Sequence, residues 1–264
     1  MIDLHSHLLP GIDDGAQSLD VSIEMAKLAV ADGVKIMACT PHYLPPKYNN
    51  TGKDIMAAVA TLQAELDKQG IPLRLLAGAD VHLLPALLGD LKSGTAQTLR
   101  GTRYFLLEPD HHIAPPNFLK FTAGLMAAGY KPILTHPERL TWIEHKYDLI
   151  CAVEESGVAI QVTGAAITGK FGEMPLKWAE RLLREGRVDI LASDAHNVKR
   201  RPPGLSLAVE AAANIIGQEA ALRLVIDNPT AILRDEDLPP KTRISLPPKE
   251  KTTFMQRIGI GRTA

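Results

Sequence analysis

Short apolar runs rich in valine, isoleucine and leucine recur along the chain and alternate with longer segments of helical periodicity. The apolar runs predict seven strands, over residues 2–5, 34–39, 73–80, 103–108, 132–136, 158–163 and 189–193. The segments between them predict helices over residues 18–32, 53–69, 115–128, 141–156, 175–185 and 204–227. Seven strands that alternate with helices predict an α/β fold built on a parallel barrel rather than on an open sheet.

Histidines and carboxylates stand at the downstream ends of these apolar runs. The nine candidates for metal ligands are His5, His7, Asp14, His42, Asp80, Glu108, His136, Asp194 and His196. In a parallel α/β barrel the active site lies at the carboxyl ends of the strands, where these side chains fall. His5 and His7, one residue apart on a strand, point to the same face. Nine such residues exceed what one metal accepts and predict two or three divalent metals, for which this mixed shell favours Mn, Fe or Zn.

The composition is that of an ordinary globular protein. Apolar residues make up 45% and charged residues 22% of a chain of 264 residues, a length that suits one α/β barrel. No apolar stretch approaches roughly 18 residues and no leader pattern opens the chain, so we expect neither a membrane span nor a signal peptide. The two cysteines, Cys39 and Cys151, favour a cytoplasmic location.

Charge divides the chain at about residue 240. Residues 241–264 carry a net charge of +5, and residues 1–240 carry a net charge of −6. We therefore predict a domain over 1–240 and a basic, flexible tail over 241–264, which is either solvated or docks on an acidic surface or partner. The acidic body argues against nucleic-acid binding.

Four motifs together carry a family resemblance. They are Met-Ile-Asp-Leu-His-Ser-His-Leu-Leu-Pro-Gly-Ile-Asp-Asp-Gly at residues 1–15, Thr40-Pro41-His42-Tyr43, Thr135-His136-Pro137-Glu138-Arg139, and Ser193-Asp194-Ala195-His196-Asn197 with Arg201-Pro202 after it. In order and spacing they resemble the polymerase and histidinol phosphatase (PHP) superfamily. Within it they are most similar to the bacterial manganese-dependent protein tyrosine phosphatases encoded beside capsule and exopolysaccharide genes. The resemblance covers about residues 1–240.

This resemblance implies a distorted seven-stranded barrel that holds three metals, usually manganese. By position, one metal is held by His5, His7, Asp80 and Asp194, a second by Asp80 as a bridge with Glu108 and His136, and a third by Asp14, His42 and His196. The family usually has glutamate where this chain has Asp80, and the shorter side chain reduces the reach of the bridge. His82, on the same strand face, either supplements that shell or is a polar residue of the rim. His111 and His112, on the loop after Glu108, either contact substrate or are solvated.

The resemblance also implies a reaction, the hydrolysis of phosphotyrosine by a metal-activated hydroxide. The substrate that it implies is a bacterial tyrosine kinase that regulates capsule and exopolysaccharide synthesis. It assigns Arg139 and Arg201 a catalytic, phosphate-binding role, which suits a planar guanidinium, although each arginine by itself is typical of a surface residue. Tyr43 and Tyr48, on the proline-rich loop 41–50, either flank the substrate ring or pack within the loop. The sequence identifies no general acid and leaves the oligomeric state open.

Two other functions stay open at this point. One is a small-molecule phosphatase of the same superfamily, such as one that acts on histidinol phosphate. The other is a non-catalytic metal-binding regulatory module that docks through the basic tail. The motif Asp13-Asp14-Gly15 and the pair Arg139 and Arg201 favour the tyrosine phosphatase. The pattern excludes a thiol phosphatase, because no arginine stands six residues after either cysteine.

Overall fold

The computed structural model describes residues 1–241, in which strands alternate with helices. The strands are Ile2–Ser6 (β1), Ile36–Cys39 (β2), His42–Leu44 (β3), Tyr48–Asn49 (β4), Arg74–Ala77 (β5), Asp80–His82 (β6), Tyr104–Glu108 (β7), Lys131–Thr135 (β8), Ala159–Thr163 (β9) and Ile190–Ala192 (β10). The helices are Leu19–Ala31 (α1), Gly52–Lys68 (α2), Leu87–Ser93 (α3), Phe118–Ala127 (α4), Ile143–Glu155 (α5), Gly164–Ile167 (α6), Glu173–Arg184 (α7), Ser206–Ile216 (α8), Gln218–Arg223 (α9) and Asp227–Leu233 (α10). Two short 3-10 helices cover Leu99–Gly101 and Pro137–Arg139.

The strands form two sheets. The smaller sheet has the order β1-β2-β5, and the larger has the order β10-β9-β8-β7-β6-β3-β4. The strand pairs are parallel, except for the β3–β4 hairpin. Between the two sheets, Ser6 and Ala195 form an isolated parallel bridge. The α/β class with parallel-strand sheets is therefore confirmed.

The observed ladders differ from the predicted continuous barrel at two strands. The predicted strand 34–39 ends at Cys39, and pairing resumes in β3 beyond Pro41, which has no N–H to donate to a ladder. The predicted strand 73–80 divides into β5 and β6 at Gly78, where a side chain would collide with its neighbours. The pairs consequently fall into two sheets, and the larger one is open and mixed because it includes β4.

All the predicted helices are present, and the structure adds elements that the periodicity missed. The predicted segment 204–227 divides into α8 and α9 at Gly217, whose φ is 86°. The three helices that the periodicity missed, α3, α6 and α10, each have seven residues or fewer and are too short for a helical period to be recognised. The predicted loop 41–50 contains the β3–β4 hairpin. Between residues 1 and 241, no helix combines the length and the apolar character needed to cross a membrane.

Most of the predicted basic tail, residues 242–264, lies outside the described residues. Its first residue, Lys241, is held on the folded body by two carboxylates. The Nζ atom lies 2.6 Å from Asp189 Oδ2 and 2.8 Å from Glu154 Oε1. The packed part of the chain therefore extends at least to this residue.

A small hydrophobic cluster packs between the strands. It contains Leu106 of β7, Ile133 of β8 and Ile190 of β10, together with side chains of α10. Because side chains alternate along a strand, Leu106 shares a face of β7 with Glu108, two residues later. A strand face that is apolar in its middle thus becomes polar at its carboxyl end.

Asp32, at the end of α1, joins this first helix to the start of α8. Its carboxylate accepts hydrogen bonds from the backbone N–H of Leu205 at 2.5 Å and from that of Ser206 at 2.9 Å. These are N–H groups of the kind that a helix leaves unpaired at its start. A residue 173 positions away therefore provides the cap that is usually local.

We expect Asp32→Ala to lower the free energy of unfolding by about 1–2 kcal/mol, the usual effect of losing a helix cap. The reason is that the N–H groups at the start of α8 lose their acceptor. Urea unfolding followed by circular dichroism measures the change. The matched control is Glu24→Ala, an exposed acidic residue of the same helix, which should change stability by less than about 0.5 kcal/mol. Equal stabilities for the two variants would contradict the capping role.

Candidate metal centre

The structure brings all nine predicted metal-ligand residues into one cluster. His5 and Glu108 lie on β1 and β7, while His136 and Asp194 follow β8 and β10. Seven of the nine are buried, and the other two, Asp14 and His42, reach the surface. The cluster therefore lies at the carboxyl ends of the strands, with one side open to solvent.

The deepest part of the cluster contains two histidines and two carboxylates. His5 Nε2 lies 3.5 Å from Asp80 Oδ2 and 3.5 Å from Asp194 Oδ1. His7 Nε2 lies 3.3 Å from His5 Nε2 and 3.5 Å from Asp194 Oδ1. Of the four residues that were predicted to share one metal, His5 therefore lies within 3.5 Å of the other three.

A second group forms the open side of the cluster. Asp14 Oδ1 lies 3.4 Å from His42 Nε2 and 3.5 Å from His196 Nε2. The rings of His7 and His196 are close, with centroids 3.9 Å apart. The Asp14 side chain is 52% exposed. This group contains the three residues predicted for a third metal, and His7 joins them.

Glu108 is the centre of a third group, which includes histidines whose role the sequence left undecided. His136 Nε2 lies 3.5 Å from Glu108 Oε1. His82 Nε2 lies 2.7 Å from Oε2 of the same carboxylate, and His111 Nε2 lies 2.9 Å from Oε1. His112 is exposed on the adjoining loop. Of the undecided histidines, His82 and His111 therefore belong to the cluster.

The spacing of these atoms is that of metal ligands. Most of the nitrogen–oxygen distances are 3.3–3.5 Å, longer than a typical hydrogen bond. Two ligands that each lie about 2.1 Å from a tetrahedral metal are about 3.4 Å apart. Both carboxylate oxygens of Asp80, together with His42 Nδ1 and His196 Nε2, are buried without a hydrogen-bond partner. Such atoms are costly to leave unpaired, and their chemistry suits a divalent metal.

Two contacts outside the predicted set orient the imidazoles. His5 Nδ1 donates to Gln161 Oε1 at 2.8 Å, and His7 Nδ1 donates to Asp13 Oδ2 at 2.7 Å. Each contact turns the Nε2 lone pair toward the cluster, as second-shell partners of metal ligands do. Sequence reasoning missed both roles. Asp13 was detectable as the neighbour of Asp14, whereas Gln161 lies 156 residues from His5.

The charged groups of the cluster shift one another's pKa values. Burial opposes protonation of His5, yet the carboxylates of Asp194 and Asp80 raise the pKa of this imidazole to about 9. Burial also opposes ionisation of Asp194, but the charge of His5 and the neighbouring imidazole of His7 hold the pKa of this carboxyl well below the usual range. The buried carboxylates therefore require positive charge beside them, and divalent cations supply it at high density.

Gly15 lets the loop that carries Asp13 and Asp14 close against His7. A Cβ atom at this position would lie 2.2 Å from the carbonyl oxygen of His7 and 2.4 Å from its Cβ. The loop is fixed there by hydrogen bonds from Gly15 N to Asp13 Oδ1 at 2.9 Å and from Ala16 N to His7 O at 3.0 Å. Its closed position thus depends on the absence of a side chain.

Arg139 and Arg201, the predicted phosphate-binding residues, both reach Asp194. Arg139 Nη1 donates to Asp194 Oδ2 at 2.6 Å, and Arg201 Nη2 donates to the same oxygen. Each arginine side chain is 22% exposed, and Arg201 Nε is buried without a hydrogen-bond partner. The two guanidiniums border the cluster and retain N–H groups for an anion.

The two tyrosines of segment 41–50 have different environments. Tyr43 is 3% exposed and packs in the hydrophobic core, which contradicts its predicted contact with substrate. Its neighbour His42 enters the cluster, and adjacent side chains on a strand point to opposite faces. Tyr48 is partly exposed and stacks on His42, with ring centroids 5.5 Å apart. Tyr48 is therefore the tyrosine that borders the site.

A family described as "Capsular polysaccharide synthesis, CpsB/CapC" matches residues 1–234 of the chain. The chain belongs to the CpsB/CapC family. This membership confirms the resemblance to capsule-locus phosphatases that the motifs predicted, and the match includes all nine predicted metal-ligand residues.

Proteins similar to this chain are named as tyrosine phosphatases. The chain is 33% identical over 239 residues to tyrosine-protein phosphatase YwqE of Bacillus subtilis (strain 168), which covers 90% of this chain and 93% of that protein. It is 25% identical over 241 residues to tyrosine-protein phosphatase CpsB of Streptococcus pneumoniae, which covers 89% of this chain and 99% of that protein.

The chain is also similar to solved structures. A crystal structure from work on YwqE of Bacillus subtilis and CpsB of Streptococcus pneumoniae, described as unique metal-dependent tyrosine phosphatases, matches with a TM-score of 0.88. It is 31% identical and covers 93% of this chain and 100% of that one. The histidinol phosphate phosphatase of Lactococcus lactis matches with a TM-score of 0.54, covers 83% and 93% of the two chains, and is 13% identical. This second likeness shows the fold alone.

We expect Gly15→Ala to weaken manganese binding roughly tenfold or more, the effect typical of losing an orienting partner. The added methyl group would push the loop with Asp13 and Asp14 away from His7. Metal bound per chain, measured by elemental analysis after equilibration with manganese, tests this. The control is Gly124→Ala in α4, whose added Cβ has no neighbour within 4 Å. Equal metal content in the two variants would argue against the role of Gly15.

Proposed function

We propose that this chain is a metal-dependent protein tyrosine phosphatase. The observation that carries the proposal is the position of two arginines on Asp194, beside imidazole and carboxylate atoms that are buried without hydrogen-bond partners. A phosphate monoester is a dianion, and this arrangement places cationic groups and metal ligands within reach of one another. The names of the relatives support tyrosine phosphate as the substrate.

We also infer that the two sheets are parts of one distorted seven-stranded barrel, the PHP fold. In this interpretation β2 and β3 are one strand interrupted at residues 40–41, and β5 and β6 are one strand interrupted at residues 78–79. The bridge between Ser6 and Ala195 closes β1 onto the chain that follows β10. The parallel direction of these pairs supports the inference.

The proposed cofactors are three divalent metals, of which manganese is the first choice and iron or zinc the alternatives. The nine predicted residues would hold them in the three groups described above. His82 and His111, which contact Glu108, would provide further ligands for its group. When bound, the metals supply Lewis acidity toward water and toward the phosphoryl oxygens.

The arginines bind and orient the phosphoryl group in this proposal. Arg139 and Arg201 each use one N–H group on Asp194 and offer others to phosphoryl oxygens, where a guanidinium fork binds well. The side chain of Asn197 shapes the loop before Arg201 by accepting from the N–H groups of residues 199–201 at 2.7–3.2 Å. In the reaction, a water oxygen bonds to phosphorus and the bond to the phenolic oxygen breaks, which yields tyrosine and inorganic phosphate.

We propose that the physiological substrate is a phosphotyrosine protein, namely a bacterial tyrosine kinase of polysaccharide export. The open side of the cluster supports a protein substrate, because the arginines are partly exposed and Tyr48 borders the site next to His42. A phosphotyrosine ring that enters there meets an aromatic neighbour. The cytoplasm is the proposed location, and the free thiols of Cys39 and Cys151 agree with it.

The function is tested by stripping the metal, restoring manganese and measuring hydrolysis of p-nitrophenyl phosphate, a phosphotyrosine peptide and histidinol phosphate. We expect activity to require metal, with about three metals per chain, and kcat/KM to be at least about tenfold higher for the peptide than for histidinol phosphate. Preference for histidinol phosphate would favour the small-molecule phosphatase. Metal binding without hydrolysis of any substrate would favour a non-catalytic module.

We expect Arg139→Ala and Arg201→Ala each to lower kcat/KM for p-nitrophenyl phosphate by roughly 10²–10³-fold, the effect of losing a preorganised donor at the reacting group. Elemental analysis should show unchanged metal content, because neither arginine is a ligand. Arg200→Ala is the matched control, since Arg200 is the exposed neighbour of Arg201 and should retain activity. Full activity in either of the first two variants would disprove the role of that arginine.

A further inference from the structure

Phe171 places its ring against both predicted phosphate-binding arginines. The Cζ atom of Arg139 lies 5.1 Å from the ring centroid, and that of Arg201 lies 5.8 Å from it. Both distances fall within the range in which an aromatic face attracts a guanidinium. One ring and one oxygen of Asp194 therefore hold two positive charges side by side.

The contact with Asp194 does not by itself fix the two guanidiniums. Each arginine donates one N–H group to the same carboxylate oxygen, which leaves rotation about that bond. The two like charges also repel each other, and an arginine side chain has many rotamers to lose on ordering. A flat surface against both guanidiniums removes this remaining freedom.

The loop between α6 and α7 holds Phe171 in place. Lys170 N donates to Ala165 O at 2.9 Å, and Gly172 N donates to Gly169 O at 3.1 Å. The two glycines have φ values of 76° and 91°, which glycine adopts at little cost. The ring itself is partly buried against the larger hydrophobic cluster. Phe171 is therefore a fixed support rather than an exposed loop side chain.

We propose that Phe171 is a positioning residue for phosphate binding. Its ring sets the guanidinium planes of Arg139 and Arg201 so that their unused N–H groups point toward phosphoryl oxygens. The inference rests on the proposed function, because that function assigns the two arginines to phosphate.

Inorganic phosphate separates this role from direct contact between Phe171 and the substrate ring. A residue that stacks on the phenol contributes to binding of aryl phosphates and not to binding of inorganic phosphate, which has no ring. A residue that positions the arginines contributes to both. The affinity for inorganic phosphate, measured by calorimetry on the manganese-loaded chain, is therefore the deciding quantity.

The test compares substitutions that remove the aromatic face with substitutions that keep it. Phe171→Leu and Phe171→Met should weaken phosphate binding roughly three- to tenfold, the effect of losing a cation–π contact. Phe171→Tyr and Phe171→Trp should stay within about twofold of the original affinity. Phe121→Leu is the control, since Phe121 is also partly buried against the larger cluster. Metal content and the melting temperature are measured for each variant.

A double-mutant cycle shows whether Phe171 acts through the arginines. In a chain that carries Arg139→Ala and Arg201→Ala, Phe171→Leu should have no further effect on phosphate affinity. If Phe171→Leu weakens phosphate binding in that chain as much as in the original chain, the proposal is wrong. It is also wrong if Phe171→Leu and Phe171→Met leave the affinity for inorganic phosphate unchanged, or if they weaken only the binding of aryl substrates. The proposed function is tested separately, and it is wrong if the manganese-loaded original chain hydrolyses no aryl phosphate. The two tests are independent because the phosphate titrations do not depend on turnover.

Discussion

The buried carboxylate of Asp194 is the contact on which the rest of the site depends. One oxygen faces the imidazoles of His5 and His7, and the other accepts from Arg139 and Arg201. A carboxylate that is 1% exposed is costly unless donors and positive charge surround it. Its partners come from β1, from the turn after β8 and from the loop after β10. Satisfying this one charge therefore fixes three distant parts of the chain relative to one another.

The backbone around Asp194 is held in a conformation that it would not adopt alone. Asp194 and His136 have left-handed φ values of 51° and 34°, which cost of order 1 kcal/mol or more for a residue with a side chain. Asp194 N donates to His5 O at 2.9 Å, and Asp3 Oδ1 accepts from Ser193 N at 3.1 Å. Strand pairing and buried hydrogen bonds thus offset local strain at the positions where the strands end in the cluster.

Local periodicity predicts some parts of this site and not others. The shared face of His5 and His7 follows from the alternation of side chains on a strand, and each of the seven apolar runs contains an observed strand. Gln161 could not be predicted, because it meets His5 through the order of the strands and not through spacing along the chain. The proline-rich segment 41–50 was predicted as a loop, without the register of the hairpin, and this register buries Tyr43 and leaves Tyr48 partly exposed. The interruption at Gly78 likewise depends on the close approach of Leu99 and Thr40, which spacing along the chain does not reveal.

The exposure of Asp14 distinguishes an outer, solvent-accessible group of the centre from an inner, buried one. This side chain is 52% exposed, whereas His5 and Asp80 are fully buried. Under the proposed function, ions and chelators in solution meet the group of Asp14 first, and the inner ligands exchange more slowly. Metals would then leave a loaded chain in sequence, from the outermost position inward. The occupancy of that outer position would follow the supply of free metal and set the fraction of chains that are fully assembled.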